Sequence, residues 1–103
     1  MKIYNVKITD KALFDMQEIY NYIAFSLKEP DIAMDLYDRI ADAIESLSVF
    51  PERCRLFASE QERELGMRQL LIDNYSAIYV IENDNVTVLR VLYSSSDIST
   101  RLR

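Results

Sequence analysis

Three side chains in the last third of this chain have the types best suited to chemistry: Arg68, Arg90 and Tyr93. A guanidinium fork matches the oxygens of phosphate or carboxylate. Two such forks on one sheet face would form an anion cradle; alternatively, each arginine pairs with an acid at the sheet surface. Tyr93 would stack on a base or, with a lowered pKa, take a proton; the plainer reading is a half-buried end of a strand. The chain has no histidine, so proton transfer would fall to Asp, Glu, Lys, Tyr or a water held by arginine. Cys54 is the one cysteine. Its neighbours Arg53 and Arg55 favour thiolate, but no His or second Cys stands ready to partner it. With Gly66 as the only glycine there is no phosphate-cradling loop, and no zinc or helix-turn-helix pattern is visible. No metal or cofactor is expected.

These side chains need strands to carry them. Residues 67–72 (MRQLLI), 75–82 (YSAIYVIE) and 86–93 (VTVLRVLY) read as three strands joined by turns at Asp73-Asn74 and Asn83-Asp84-Asn85. In the middle strand Tyr75, Ala77, Tyr79 and Ile81 share one face, and Ser76, Ile78 and Val80 the other. Residues 2–8 (KIYNVKI) read as a first strand. Thr9 is placed to cap a helix, with Ile8 and Leu13 at the spacing of a hydrophobic staple. Leu13, Met16, Ile19/Tyr20, Ile23 and Leu27 then predict an amphipathic helix over 10–27. Pro30 opens a second helix, with Ala33, Leu36/Tyr37, Ile40, Ala43/Ile44 and Leu47 facing inward to about Val49, and Pro51 ends it. Tyr20, Tyr22, Tyr37, Tyr75 and Tyr79 lie at core-like spacings. Residues 51–65 read as a polar connection with Leu56 and Phe57 against the core, and Glu60, Glu62 and Glu64 as a solvated run.

The resulting order is β-α-α-β-β-β, an α+β fold: a helical hairpin on one face of a mainly antiparallel four-stranded sheet. The opposite face is expected to remain open to solvent or a ligand. One domain over residues 1–93 and a loose polar tail over 94–103 fit the 103-residue length.

The net charge is −5. It is unevenly spread: residues 10–50 carry nine acids against three bases, which reads as solvated helix faces. No apolar run approaches the roughly 20 residues of a membrane span, and the first residues do not resemble a signal peptide. A single thiol suits a reducing compartment, so a cytoplasmic protein is expected.

Taken in order, ITDKALFDMQEIYNYIA (8–24), AMDLYDRIADAIESLSVFPERCRLF (33–57) and GMRQLLIDNYSAIYVIENDNVTVLRVLYSSSDI (66–98) resemble the RelE/ParE superfamily of toxins from bacterial type II toxin–antitoxin modules. The spacing of Arg68, Tyr75 and Tyr79 and the terminal VLRVLY strand carry much of the likeness. The resemblance implies a growth-inhibiting protein silenced by a cognate antitoxin, in a hetero-oligomer where an antitoxin segment wraps the toxin. RelE-type members cut mRNA in the ribosome; ParE-type members poison DNA gyrase without being nucleases. RelE-type nucleases resemble one another in an arginine where this chain has Ser76, and many relatives carry another where it has Ser96. Loss of an arginine that stabilises a crowded phosphate costs orders of magnitude in rate, and ribosomal RNA favours a basic surface. The ParE-like reading is therefore slightly favoured. In the nuclease alternative, Arg68 and Arg90 would hold the scissile phosphate, Tyr93 would stack or take the proton, and Arg101 would stand in for the missing arginine.

Overall fold

Thr9 starts the first helix by the expected capping bond. Its Oγ1 accepts from Ala12 N at 3.1 Å, and α1 runs Asp10–Asn21. In this computed structural model, which describes residues 2–57 and 59–94, the helix continues through one π turn, Tyr22–Ser26. It ends at Lys28 in a left-handed conformation, φ 57°. The predicted span is thus occupied, but the buried stripe differs. Ala12, Asp15, Met16, Ile23 and Ala24 face inward, while Leu13 and Leu27 are exposed. The sequence holds two overlapping three-four patterns in this helix, and packing on the sheet selects the one that includes Asp15.

The second helix, α2 (Pro30–Glu45), has Pro30 in its first turn, where the missing N–H is not needed. Ala33, Leu36, Ile40 and Ile44 are buried along it, and Leu47 in the 3-10 turn that follows. The two helices meet through Tyr20 and Tyr37, whose rings pack edge to face at 6.2 Å. Tyr22 departs from the core-like reading and is exposed. It is the first residue of the π turn, and it lines a surface groove together with Tyr75 and Tyr93 of the sheet.

The strands are β1 (Asn5–Ile8), β2 (Arg68–Ile72), β3 (Tyr75–Glu82) and β4 (Asn85–Tyr93), in the spatial order β1-β4-β3-β2. β2, β3 and β4 form an antiparallel meander and β1 pairs parallel to β4. The two hairpin turns use Asp73 and Asn83 at φ 52° and 55°. These are residue types that tolerate the left-handed region such turns require. Tyr79, Ala77, Val86, Val88 and Val91 join the helices in the main core.

The face turned away from the helices is not bare. Ile78 and Leu92 are sealed there with Phe57, and Met67 packs on them. Residues 51–65 fold back as more than a polar connection. They hold a 3-10 turn (Pro51–Arg53), an isolated bridge from Leu56 to Arg68, and a short helix, α3 (Glu60–Glu64). Glu62 is buried in it rather than solvated and accepts a hydrogen bond from the Ser59 hydroxyl. The reason is apolar: Ile78, Leu92 and Phe57 lose water only when this segment closes over them. Apart from Ser94, the predicted tail lies outside the described residues.

Candidate functional site

Between α1 and the turn end of the sheet lies an open groove of about 800 Å³. Phe14 and Tyr22 line its helical wall, and Tyr75 and Tyr93 its sheet wall. Phe14 and Tyr22 are about three-fifths exposed, and Tyr93 nearly half. The Tyr75 and Tyr93 rings lie 5.5 Å apart, tilted by 45°. Burial, and then the neighbouring Tyr93 and Tyr22 phenols, raise the pKa of Tyr75 above its usual 10, so this ring stays neutral at physiological pH.

A β-bulge sets the sheet wall. The pairing runs Tyr79 with Val88 and then Ile78 with Arg90, so Leu89 is the extra residue. A one-residue shift reverses the alternation of side chains. Val86 and Val88 face the helices before the bulge; Val91 does so after it, and Leu92 turns to the far face. Tyr93, paired with Tyr75, therefore stands at the groove.

The backbone groups released by the bulge are taken up by α1 and its cap. Thr9 Oγ1 donates to Leu89 O at 3.0 Å. Asp15 Oδ2 accepts from Val91 N at 3.0 Å. The same carboxylate holds the Arg90 fork with both oxygens, Nε to Oδ2 at 2.7 Å and Nη2 to Oδ1 at 2.9 Å. Both side chains are largely buried, 13% exposed for Arg90 and 9% for Asp15. This pair raises the Arg90 pKa, so the guanidinium stays charged at every physiological pH.

The arginines are thus not brought together. Arg90 is fastened to α1. Arg68, opposite Tyr79 and separated from β4 by β3, donates through Nη1 to Cys54 O at 2.6 Å and Glu52 O at 3.2 Å. Tyr79 supports the same loop, its hydroxyl donating to Pro51 O at 2.6 Å. Arg68 and Tyr79 thereby pin residues 51–54. Tyr93 stands in the groove, and Arg101 and Ser96 lie outside the described residues. Ser76 is fully buried on the far face and bonds Gln69 Nε2 and the Ser94 hydroxyl, each at 2.8 Å.

Sequence reasoning missed Asp15, Phe14 and Tyr22 as groove residues. The signal for Asp15 was its position on the Ala12–Met16–Ile19–Ile23 stripe, where an acid needs a partner. Phe14, Glu18, Tyr22 and Phe25 share a second stripe at three- and four-residue spacing, but sequence alone does not say which stripe packs inward. With Asp15 and Arg90 compensating one another, Lys11 and Glu18 are the exposed ions of the lining, and their charges balance. Such a surface offers aromatic anchors to apolar side chains and little attraction to a phosphate chain. Among the described residues no group of three or more His, Cys, Asp or Glu is placed to hold a metal ion, and no helix is long and apolar enough to cross a membrane.

The chain matches, over residues 6–98, a family described as the ParE toxin of type II toxin–antitoxin system, parDE. Among solved structures it is similar to one of the chromosomal ParDE toxin–antitoxin system from P. aeruginosa. The identity is 22% and the TM-score 0.74, covering 88% of this chain and 96% of that one. It is also similar to one of the toxin–antitoxin complex RelBE2 from Mycobacterium tuberculosis. There the identity is 22% and the TM-score 0.62, covering 93% and 97%. A third similar fold is the solution structure of HP0894 from Helicobacter pylori, at 13% identity and TM-score 0.58, covering 91% and 98%. No curated protein matches the chain.

Proposed function

This chain belongs to the ParE toxin family of type II toxin–antitoxin systems, and we propose that it arrests growth by docking on a protein target, DNA gyrase, rather than by cutting RNA. The reading includes a cytoplasmic location and a cognate antitoxin that holds the free toxin silent in a hetero-oligomer. Two of its similar folds come from toxin–antitoxin systems, which supports that partner.

One observation carries the choice of target. The Arg90 guanidinium is spent on Asp15 and Arg68 on backbone carbonyls, so the two do not form a phosphate cradle. Ser76, where RelE-type nucleases resemble one another in an arginine, is small and sealed. The net charge of −5 opposes an RNA surface. The groove supplies Phe14, Tyr22 and Tyr93, residue types over-represented among anchors of protein interfaces.

The test is induction of the chain in cells, reading plasmid topology and mRNA integrity on ribosomes together. Relaxed or linearised DNA with intact mRNA is expected. Cleavage of mRNA at codon boundaries would reject the gyrase reading in favour of ribosome-dependent nuclease action. Phe14→Ala, at an exposed site, is expected to fold normally and to lose growth arrest; arrest that persists would remove the groove from the target surface.

A further inference from the structure

We propose that Asp15 and Arg90 are positioning residues for the aromatic groove: together they hold the Leu89 bulge, and the bulge turns Tyr93 beside Tyr75. This rests on the groove being the working surface of the toxin, as read above.

The reasoning starts from the alternation of β4. With strict period two, Val86, Val88, Arg90 and Leu92 would share the helical face, and Tyr93 would point to the far side with Thr87. The observed strand breaks that phase at Leu89. A bulge leaves backbone groups without ladder partners and costs stability unless something else satisfies them. Here the partners come from outside the sheet. Thr9 takes the Leu89 carbonyl, and Asp15 takes the Val91 N–H together with both arms of the Arg90 fork. Docking of α1 and the phase of the last strand are therefore one coupled arrangement. Arg90 is long enough to reach the helix from the bulge, and its planar fork fixes direction as well as distance. A lysine there keeps the charge and loses the fork.

Binding uses the consequence. Two rings held at a fixed tilt at one end of the groove, facing Phe14 and Tyr22 across it, form a preorganised anchor that a partner need not order on arrival. An Arg90 that acted on a phosphate would have to leave Asp15, exposing a buried carboxylate. A positioning arginine works by staying where it is.

The experiment compares Asp15→Asn and Arg90→Lys with Ile44→Val, a core change on α2 remote from the groove, in the full chain with tyrosine rings labelled for NMR. Each variant is first shown to be folded by its cooperative thermal transition. Asp15→Asn and Arg90→Lys are expected to lose the Tyr75–Tyr93 ring cross-peak, and to lose growth arrest at an induction level where Ile44→Val still arrests. Ile44→Val should keep the cross-peak despite its lowered Tm. Should either groove variant fold and keep both the ring contact and full arrest, the positioning role is wrong. If Asp15→Asn fails to fold, Arg90→Lys decides alone. Should the unaltered chain fail to arrest growth, the toxin reading falls, while the cross-peak still decides whether Asp15 and Arg90 set the rings.

Discussion

Removing Asp15 should cost far more than removing any other ion-pairing acid described in this protein. Asp15→Ala deletes both bonds to the Arg90 fork and the bond from Val91 N. It leaves a cation and an amide in a site where the side chains are 13% and 9% exposed. Breaking a buried pair from one side costs about 3–5 kcal/mol, because the remaining charge has lost its compensation. Arg90 keeps a little contact with water, so the lower end, about 3 kcal/mol, is expected. A domain of this size has a total stability of roughly 5–15 kcal/mol. With a urea dependence of about 1–3 kcal/mol per molar, the unfolding midpoint should fall by about 1–3 M. Arg90→Ala should cost less, because Asp15 then still accepts from Val91 N. The double variant should be more stable than additivity implies, with a coupling of about 2 kcal/mol. Asp84→Asn supplies the contrast. Its partner Lys2 lies 2.9 Å away, and both side chains are more than half exposed, so water already screens the pair and no change in midpoint is expected. Equilibrium urea unfolding followed by circular dichroism measures all of these. A cost below about 1 kcal/mol for Asp15→Ala, or strict additivity in the double variant, would mean that this bridge behaves as a surface pair.

Three further outcomes follow from the same contacts. Ile78→Ala should cost about 2–5 kcal/mol, since Ile78 is fully buried with Phe57 and Leu92; a cost near zero in urea unfolding would mean that the far face is open after all. Thr9→Ala removes both a helix cap and the bond to Leu89 O, so a loss of about 1–2 kcal/mol and a Tm lower by about 5–10 °C are expected by thermal melting; an unchanged Tm would exclude the cap as a fastener of the bulge. Burial first, and then its contact with Cys54, push the Tyr79 phenol well above its usual 10. The folded protein therefore keeps a proton that the unfolded chain releases, and stability is full below pH 10 and falls as pH rises beyond it; Tyr79→Phe should flatten that alkaline decline, and an equally steep decline in the variant would assign it to other groups.

The elements were legible because each follows from local chemistry. Thr9 caps, Pro30 starts a helix, and Asp73 and Asn83 accept the left-handed angles of tight turns. The superfamily was legible too, from the order of three segments rather than from any single motif. What could not be read was the phase of β4. VTVLRVLY is compatible with regular alternation, and only contact with α1 makes a bulge at Leu89 favourable. That one residue decides whether Tyr93 meets Tyr75 or turns to the far face. Its partners are 75 to 80 positions away in sequence, beyond the reach of periodicity. The covered far face was hidden for a related reason. A polar segment with Glu60, Glu62 and Glu64 reads as solvated until Phe57 is seen to need Ile78 and Leu92. Buried polar groups far apart in sequence therefore determine this site more than the arginine and tyrosine spacing does. A chain that kept VLRVLY but carried an apolar residue in place of Asp15 would lose the Arg90 and Val91 bonds, and its Arg90 would be free to bind an anion.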